Sequence, residues 1–440
     1  MRYHDLYQKC LESVPGKIRT AYESGRRPAL GYTSNLDILM RWDAKTFSDL
    51  ARVHLKGEPA FRSGETIGSI SDFVRIVSYL IENGLGRELG IANGAVCAEL
   101  ERRFVCEHAL GGTCAQGAAA LARVGVPCVA QISDRSAQVC RQLDYPEIAL
   151  VSPQGEAVPA MEMVSGQEPV KHFIMQYERG SRVQIGDRAC VIPESNRIIM
   201  GYDDLHKTLP VDPHFLSYIE AHAPLIDSYN ISGFNAIVSQ DILRQTVGEM
   251  ARHYRLVKQA NPACILYLES AHYISGDSRH MVFNGLAPFL DILGMNEEEL
   301  AELAQCRGHA LAAGNGTSLL AALELALEMY PVKGLAVHSK DFAVYYGQEL
   351  PGIDMAAALC LGNLLAGTKA RVGRYGSPEE CRGTLEIPLS PVGLALARSM
   401  PSRHKGRIVS IAPSRYMESP AATVGLGDTF VAGMQIAWLR

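Results

Sequence analysis

Apolar runs that alternate with amphipathic segments dominate the chain after Asp203. Strand-like runs at 264–270, 289–295 and 334–339 are separated by segments such as 241–259, in which apolar residues recur at helical spacing. Alternation of strands with helices is typical of a parallel sheet that is covered by helices. The chain is therefore predicted to have an α/β fold.

A different pattern lies between Tyr145 and Tyr202. Short strand-like runs, among them 148–151 and 171–177, are separated by turn residues, and apolar residues do not recur at helical spacing. Such a pattern indicates hairpins rather than strand–helix units. We expect a small β-rich domain inserted into the α/β chain.

The bulk composition narrows the class of protein. Of 440 residues, 47% are hydrophobic, which allows two or three domains or one large α/β unit with an inserted lid. The net charge of −5 gives no electrostatic footprint for nucleic acid. The polar start, Met1 to Leu11, and the lack of an apolar run of about 18 residues predict a cytoplasmic protein without a signal peptide or membrane span. Among the eleven cysteines there is no Cys-x-x-Cys pair, so we expect reduced thiols.

The stretch Gly425-Leu426-Gly427-Asp428 precedes an apolar run, Phe430 to Leu439, that is predicted to be a helix. The glycines permit a tight turn, and the first N–H groups of a helix have no partner within it. Together with the positive end of the helix dipole, these groups form a site for an anion such as a phosphoryl group. Asp428 could then accept a proton from an attacking hydroxyl. The alternative is a structural turn in which Asp428 caps the helix.

Polar side chains follow several predicted strands, namely Asn35, Asp37, Glu269, Asn296, Glu299 and His338. Because carboxyl ends of parallel strands meet at one edge of a sheet, these side chains would converge with the glycine-rich turn. Carboxylates beside a phosphate site are typical of magnesium binding. Structural alternatives exist for each. Asn35 and Asp37 could form a turn, Asn296 and Glu299 a capping box, and His338 could be a core residue.

Two further segments contain candidate ligand-binding residues. Gly111-Gly112 precedes a segment of small residues, 118–124, that is predicted to be helical. Glycine there would allow a ligand to approach the backbone, or it would allow close packing of the helix on a sheet. The segment 84–89 is predicted to be a loop with one carboxylate, Glu88.

These motifs occur in a fixed order along the chain. They are Gly31-Tyr32-x-x-Asn35-x-Asp37, Gly111-Gly112, Ser195-Asn196-Arg197-Ile198, Ser232-Gly233-Phe234, Glu269-Ser270, Gly294-Met295-Asn296-Glu297-x-Glu299-Leu300, Val337-His338 and Thr423 to Asp428. In this order, and over nearly the whole chain, the set resembles the ADP-dependent glucokinase/phosphofructokinase family of the ribokinase-like superfamily.

The resemblance implies a ribokinase-like, three-layer α/β/α large domain with a small β-rich lid. The large domain, which would bind nucleotide and carry out catalysis, would consist of residues 1–36, 68–102, 112–134 and 203–440. The lid would consist of residues 37–67, 103–111 and 135–202. Closure of the lid over the sugar would keep water from the phosphoryl group.

The activity that the resemblance implies is transfer of the β-phosphoryl group of ADP to a hydroxyl of glucose or fructose 6-phosphate. The reaction would need Mg²⁺ and release AMP, as part of glycolysis. Two alternatives stay open. One is a kinase of the same fold with another donor or acceptor, such as ATP or a nucleoside, and the other is a sensor that binds sugar or nucleotide without turnover. The sugar and the oligomeric state are not fixed by the sequence.

The resemblance also implies roles for individual residues. Asp428 would be the catalytic base, and the amides of Gly425, Leu426 and Gly427 would hold the transferring phosphoryl group. The residues that would bind the sugar are Asn35, Asp37, Glu88, Gly111, Gly112 and His172. The residues that would bind the nucleotide are Arg197, His338, Val424 and Asn296. The basic lid residues that could bind a sugar phosphate, or could simply be solvated, are Lys171, His172, Arg179 and Arg182.

The magnesium site would involve Glu269 and Glu299, the latter acting through water. Three positions depart from the family pattern. Tyr267 stands in place of the histidine of a His-x-Glu motif. Thr113 follows Gly-Gly where the family has Gln or Glu, and Thr33 stands in place of the first Asn of an Asn-x-Asn-x-Asp motif.

Overall fold

The computed structural model describes residues 3–62, 64–273 and 275–440. Its helices are α1 Tyr3–Ser24, α2 Ala44–His54, α3 Ile70–Glu82, α4 Gly94–Arg103, α5 Thr113–Arg123, α6 Ala137–Gln142, α7 Pro213–Ala221, α8 Gln240–Ala260, α9 Gly276–Leu286, α10 Glu297–Gln305, α11 Gly316–Met329, α12 Met355–Val372, α13 Pro378–Thr384, α14 Pro391–Ser399 and α15 Leu426–Ala437.

The strands alternate with these helices along most of the chain. They are β1 Arg27–Gly31, β2 Asn35–Met40, β3 Thr66–Ile67, β4 Arg87–Ile91, β5 Cys106–Gly111, β6 Cys128–Ala130, β7 Ile148–Val151, β8 Ala157–Pro159, β9 Lys171–Tyr177, β10 Arg182–Ile185, β11 Arg188–Val191, β12 Asn196–Tyr202, β13 Ile226–Ile231, β14 Ile265–Glu269, β15 Ile292–Asn296, β16 Gly334–His338, β17 Phe342–Gly347, β18 Arg403–His404 and β19 Arg407–Pro413. The predicted α/β class is confirmed.

The chain forms two compact units. The larger unit comprises the chain up to Ser34, Gly112–Ser165 and His206–Arg440, and the smaller unit comprises Asn35–Gly111 and Gly166–Leu205.

The larger unit is built on a sheet of eleven strands, counted over the described residues, in the order β18-β19-β17-β16-β15-β14-β13-β1-β6-β7-β8. The strands from β16 to β7 in this order are parallel. β13 and β14 are buried along their whole length, as expected for parallel strands that are covered on both faces. The carboxyl ends of β14, β15 and β16 therefore lie side by side at one edge.

Helix α15 lies in the interior of the larger unit, with Thr429 to Ile436 buried. Glycines allow it to approach α12 closely. A methyl group at Gly433 would meet the carbonyl oxygen of Leu361 and would lie 2.7 Å from the Cα atom of Gly362. A methyl group at Gly362 would in turn lie 2.6 Å from the ring of Phe430. The backbone of α15 is therefore held at a fixed position against α12.

The smaller unit contains, within its described residues, a six-stranded sheet in the order β3-β4-β12-β9-β2-β5. One face of this sheet is apolar, and its buried side chains are Leu36, Ile38, Met40, Phe173, Met175, Tyr177, Ile198 and Met200. The ring of Tyr177 contacts Trp42, which contacts Phe47 of α2, which in turn contacts Phe73 of α3. Helices α2 and α3 thus pack on this face, which leaves the other face for polar residues.

The observed division of the chain differs from the predicted domain ranges in two places. Residues 68–102, predicted for the large domain, lie in the smaller unit because β4 pairs with β12. Residues 135–165, predicted for the lid, lie in the larger unit because β7 pairs with β6 and β8 with β7. The expectation of one β insertion between Tyr145 and Tyr202 is therefore too simple.

Local predictions also need correction at two points. The predicted loop around Glu88 contains strand β4, and the stretch from Asn35, for which a turn was an alternative, forms strand β2. Helix α1 continues through Pro15, although a proline inside a helix removes a backbone hydrogen bond. The reason is that Pro15 is exposed while a buried stripe that includes Tyr7, Val14 and Ala21 continues on both sides.

Two further observations concern the apolar character of the helices and the state of the cysteines. In the described part of the chain, none of the helices has both the length and the apolar character that crossing a bilayer would require. The cysteines are free thiols, most of them buried, and none lies at the sites discussed below.

We predict that Gly433→Ala lowers the free energy of unfolding by about 1–3 kcal/mol, because the added methyl group meets backbone atoms of α12 that cannot rotate away. Gly248→Ala is the matched control. A methyl group there meets nothing within 4 Å, on an exposed part of α8. It should raise the free energy of unfolding by about 0.5–1 kcal/mol. Urea unfolding measures both, and an unchanged midpoint for Gly433→Ala would contradict the close packing.

Candidate active site

The glycine-rich turn forms the start of helix α15. Gly425 is the N-cap residue and adopts the left-handed conformation, with φ of 66°. The helix begins at Leu426, four residues earlier than the apolar pattern predicts, so the amides of Leu426, Gly427 and Asp428 belong to its first turn. Amides of a first turn have no partner within their helix and lie at the positive end of its dipole. We call these residues, 425–428, the anion cradle.

Asp428 is the third residue of α15 and is half-buried. The next residue, Thr429, donates a hydrogen bond from its hydroxyl to the carbonyl oxygen of Gly425, at 2.8 Å. This bond ties the first turn to its N-cap. The cap itself has no side chain that could bond to the helix, so the helix end presents backbone groups. The carboxylate of Asp428 thus lies in the same first turn as these amides.

Three predicted site residues lie together at the carboxyl edge of the large sheet. Glu269 ends β14, His338 ends β16, and Glu299 lies in the first turn of α10, which follows β15. Nε2 of His338 lies 2.9 Å from Oε1 of Glu269. The His338 ring also faces the cradle, because a methyl group at Gly427 would lie 3.0 Å from its Cε1 atom. The fold therefore brings this cluster next to the cradle, although Glu269 and His338 lie far from Gly427 in the sequence.

Burial and charge shift the pKa values in this cluster. Burial, followed by the negative charge of Glu269, raises the pKa of Glu299 to about 7. Burial by itself would lower the pKa of His338, but the charges of Glu269, Glu299 and Asp428 outweigh it and raise that pKa. Two carboxylates that are close enough to interact and an imidazole whose pKa they raise are features of a site that handles charge.

Tyr267, which departs from the family pattern, donates a hydrogen bond from its hydroxyl to Oε2 of Glu269, at 2.8 Å. The side chain is completely buried, and its ring packs against Trp438. A methyl group at Gly294, on the neighbouring strand β15, would overlap the Tyr267 hydroxyl. Tyrosine at 267 thus depends on glycine at 294. Both carboxylate oxygens of Glu269 accept a hydrogen bond, one from Tyr267 and one from His338.

Asn296 has the structural role that was the alternative. Its side chain accepts a hydrogen bond from the amide of Glu299, at 2.8 Å, and Oε2 of Glu299 accepts one from the amide of Asn296, at 3.2 Å. This is a complete capping box at the start of α10. The capping box fixes the orientation of the Glu299 side chain, so capping and a role for Glu299 at the site are compatible.

The predicted sugar-binding residues lie on the polar face of the smaller sheet. Asn35 donates a hydrogen bond to Oδ1 of Asp37, at 2.7 Å, and both side chains are buried. Asn35 pairs with Gly111 across β2 and β5, and a methyl group at Gly111 would overlap the tips of both side chains. Asp37 pairs with His172 on β9. These four residues thus form one patch, which depends on the glycine.

His172 is surrounded by negative charge. Its Nε2 atom lies 3.0 Å from Oδ2 of Asp203. Burial would lower the pKa of His172, but the charges of Asp203, Asp37 and Glu88 raise it. By strand register, Glu88 and Arg197 also belong to this face. The lid lysine, Lys171, instead bonds to Glu101 at 2.8 Å.

Gly112 is part of the larger unit, where it is the N-cap of α5 with φ of 86°. A side chain there would collide with the backbone of Thr33 and Ser34. Glycine is therefore required at 112 both by conformation and by space. Arg197 and Glu88 are exposed, and Val424 is half-buried beside the cradle.

Two neighbours of these sites had no signal in the sequence. Asp203, which bonds to His172, was expected only as the point where the α/β pattern resumes. Lys369 lies in the last turn of α12, and no motif in the sequence marks it as a site residue. Only the tertiary structure, which brings α12, α5 and α15 together, places Lys369 beside the cradle.

Comparison with known proteins is consistent with this geometry. The family model described as the ADP-specific phosphofructokinase/glucokinase conserved region matches residues 26–437. An ADP-dependent glucose/glucosamine kinase of Pyrococcus furiosus is 24% identical over 450 residues, which cover 97% of this chain and 95% of the relative. An ADP-specific phosphofructokinase of the same organism is 24% identical over 298 residues, covering 62% of this chain and 64% of the relative.

Solved structures share the fold. An ADP-dependent kinase in complex with fructose-6-phosphate and ADPβS superposes with a TM-score of 0.80 at 17% identity, covering 100% of this chain and 98% of the other. A hypothetical ADP-dependent phosphofructokinase from Pyrococcus horikoshii OT3 has a TM-score of 0.74 at 20% identity, covering 94% of this chain and 98% of the other.

Proposed function

Since the chain belongs to the ADP-specific phosphofructokinase/glucokinase family, we propose that it transfers the β-phosphoryl group of ADP to a hydroxyl of a hexose. The products are AMP and a hexose phosphate. The observation that carries this proposal is Asp428 in the first turn of α15, behind a left-handed glycine N-cap. A proton acceptor and a set of phosphate-binding amides are thereby fixed to one rigid element.

In the proposed reaction, Asp428 accepts the proton of the sugar hydroxyl as the hydroxyl oxygen attacks the β-phosphorus atom. The bond between that phosphorus and the oxygen of the AMP leaving group breaks as the new bond forms. The amides of Gly425, Leu426 and Gly427 hold the transferring group and stabilise the charge on its oxygens. The half-burial of Asp428 supports this role, because a base in contact with substrate must be both reachable and partly desolvated.

A divalent cation such as Mg²⁺ fits the cluster of Glu269 and Glu299. The raised pKa of Glu299 reflects the cost of burying a second carboxylate beside Glu269, and a cation would remove that cost. Oxygen donors of this kind suit Mg²⁺, which binds few carboxylates together with phosphates and water. When bound, the cation would neutralise the charge of the donor phosphates. The proposed contacts to the nucleotide remain His338, Val424, Arg197 and Asn296. Asn296 would contact the nucleotide through its backbone, while its side chain caps the helix that carries Glu299.

The acceptor is proposed to be an unphosphorylated hexose, with fructose 6-phosphate as the alternative. Asp37, Glu88 and Asp203 all act on His172, so carboxylates outnumber the basic residues His172 and Arg197 on the polar face of the smaller sheet. A sugar phosphate would be repelled there, whereas the hydroxyls of glucose or the ammonium group of glucosamine would find acceptors. The pairing of Lys171 with Glu101 leaves that lysine engaged away from a phosphate.

We predict that Asp428→Asn lowers kcat by about 10³-fold or more, because the variant keeps the shape of the cradle but cannot accept a proton. AMP release from ADP in the presence of glucose measures the reaction. Asp277→Asn is the control, since Asp277 is an exposed acidic residue in the first turn of α9. It loses the same helix-dipole interaction and should keep kcat. Turnover near that of wild type for Asp428→Asn would refute the mechanism.

The donor is tested with the same assay. ADP should support phosphorylation, while ATP, GTP and pyrophosphate should not. Preference for ATP, or transfer to a nucleoside, would establish the alternative kinase. Ligand binding without AMP release would establish the sensor.

We predict that MgCl₂ raises the unfolding temperature of the wild-type protein relative to EDTA, and that Glu299→Gln loses this shift. Glutamine keeps the capping box and removes one charge. In EDTA, the variant should be at least as stable as wild type, because the repulsion from Glu269 is gone. Glu298→Gln, an exposed neighbour in the same turn, should keep the full magnesium response. An unchanged response in Glu299→Gln would place the cation elsewhere.

The proposed acceptor leads to a separate prediction about the preference between glucose and fructose 6-phosphate. The ratio kcat/KM should be higher for glucose than for fructose 6-phosphate by about 100-fold, and glucosamine should be accepted. Glu88→Gln should lower kcat/KM for glucose by about tenfold, since a charged acceptor of hydroxyl groups is lost. Glu107→Gln is the control, because by register Glu107 lies on the same row and face of the sheet but at the opposite edge. A preference for fructose 6-phosphate would refute the charge argument.

A further inference from the structure

Lys369 brings a buried positive charge to the base of the anion cradle. The residue is only 7% exposed. Its ammonium group donates a hydrogen bond to Oε1 of Gln116, at 2.6 Å, and lies 3.4 Å from the carbonyl oxygen of Gly425. The same group lies 4.4 Å from the centre of the Tyr375 ring. Helices α5, α12 and α15 thus meet at this charge.

The Gln116–Lys369 pair packs directly against the N-cap of α15. A methyl group at Gly425 would overlap Oε1 of Gln116 and would lie 2.6 Å from the nitrogen of Lys369. Gln116 is itself buried, and its Oε1 atom also accepts a hydrogen bond from the hydroxyl of Tyr375, at 3.3 Å. The pair therefore holds the carbonyl of Gly425 on one side, which directs the amides that follow to the other.

The positive charge of Lys369 is unexpected beside the N-terminus of α15. The N-terminus of a helix carries a partial positive charge, which repels a nearby cation. A lysine buried beside that N-terminus would interact favourably with an anion that occupies the cradle, because charges interact strongly where water is excluded. A purely structural explanation also exists, because Lys369 lies at the negative end of its own helix, α12. The two explanations differ in what they predict for ligands.

We propose that Lys369 is a positioning residue for phosphoryl transfer, which strengthens the cradle for the transferring group through its charge and through its hold on Gly425. The proposal rests on the kinase function proposed above. In this proposal, Lys369 does not touch the acceptor. It acts on the β-phosphoryl group of the donor and not on its AMP part.

Comparison of ADP with AMP provides the test, because AMP lacks the phosphoryl group that would occupy the cradle. Calorimetric titration should show that Lys369→Met lowers the affinity for ADP by about tenfold and leaves the affinity for AMP unchanged. In turnover with glucose, kcat should fall by about 10- to 100-fold while KM for glucose stays constant. Lys369→Arg keeps the charge and should recover most of both effects.

Lys258→Met is the matched control. Lys258 is also a partly buried lysine of the larger unit, with its ammonium group 2.7 Å from Asp291. The control should lose stability without a change in the ratio of ADP to AMP affinity or in kcat of the folded protein. Thermal unfolding shows at which temperature each variant is folded, and binding and kinetics are measured below it.

The outcomes separate the two proposals. If Lys369→Met weakens ADP and AMP equally, or matches Lys258→Met in every respect, the role of Lys369 is structural and the inference is wrong. If wild type binds ADP more tightly than AMP and Lys369→Met removes that difference, the inference holds even when no sugar is phosphorylated. In that case only the proposed function fails.

Discussion

The close contact of helix α15 with α12 is the constraint on which the site depends. Gly433 and Gly362 let the two backbones approach to a distance that no larger residue allows. From the other side, the buried Gln435 donates a hydrogen bond to the hydroxyl of Ser228 on β13. The helix is thus fixed both to a neighbour and to the central strands. Its first turn, which forms the anion cradle and carries Asp428, inherits that fixed position.

Charge is then arranged around this fixed turn. Glu269 accepts hydrogen bonds from Tyr267 and His338, and it raises the pKa of Glu299 in the same cluster. A cation would stabilise buried carboxylates at this density, and an anion in the cradle would interact favourably with the lysine behind it. A bound cation–phosphate complex would satisfy both. The two ligands would therefore act on the two groups of charges together.

In the smaller unit, a sheet instead of a helix holds the functional groups in fixed positions. One face is apolar and packs on helices, so alternate residues on every strand must point to the other face. On that face Asp37, His172 and Glu88 come from three different strands, and Gly111 leaves room for the tips of Asn35 and Asp37. Pairing between strands, not sequence proximity, collects these groups. Their negative charge supports a neutral or cationic sugar as the acceptor.

Much of this was predictable from local signals. The helical spacing of apolar residues predicted α8, an apolar run predicted the C-terminal helix, and further apolar runs predicted β14 and β16. The order of the motifs indicated the family, which the match over residues 26–437 shows. Prediction failed where the cause was not local. The strand at Glu88 is short and partly exposed, and its pairing with β12 and β3 makes it a strand.

What the sequence determined by itself was the chemistry available to the chain: a left-handed glycine turn before an aspartate, carboxylates after strands, and a capping box at Asn296. These depend on backbone conformation and on neighbours within a few residues. Only the tertiary structure decided which groups meet. Lys369 reaches Gly425, and His338 reaches Glu269, because helices and parallel strands that are far apart in the chain share one interior. Charges that are buried there act more strongly on their neighbours than charges in water do, and no sequence pattern shows which neighbours they have.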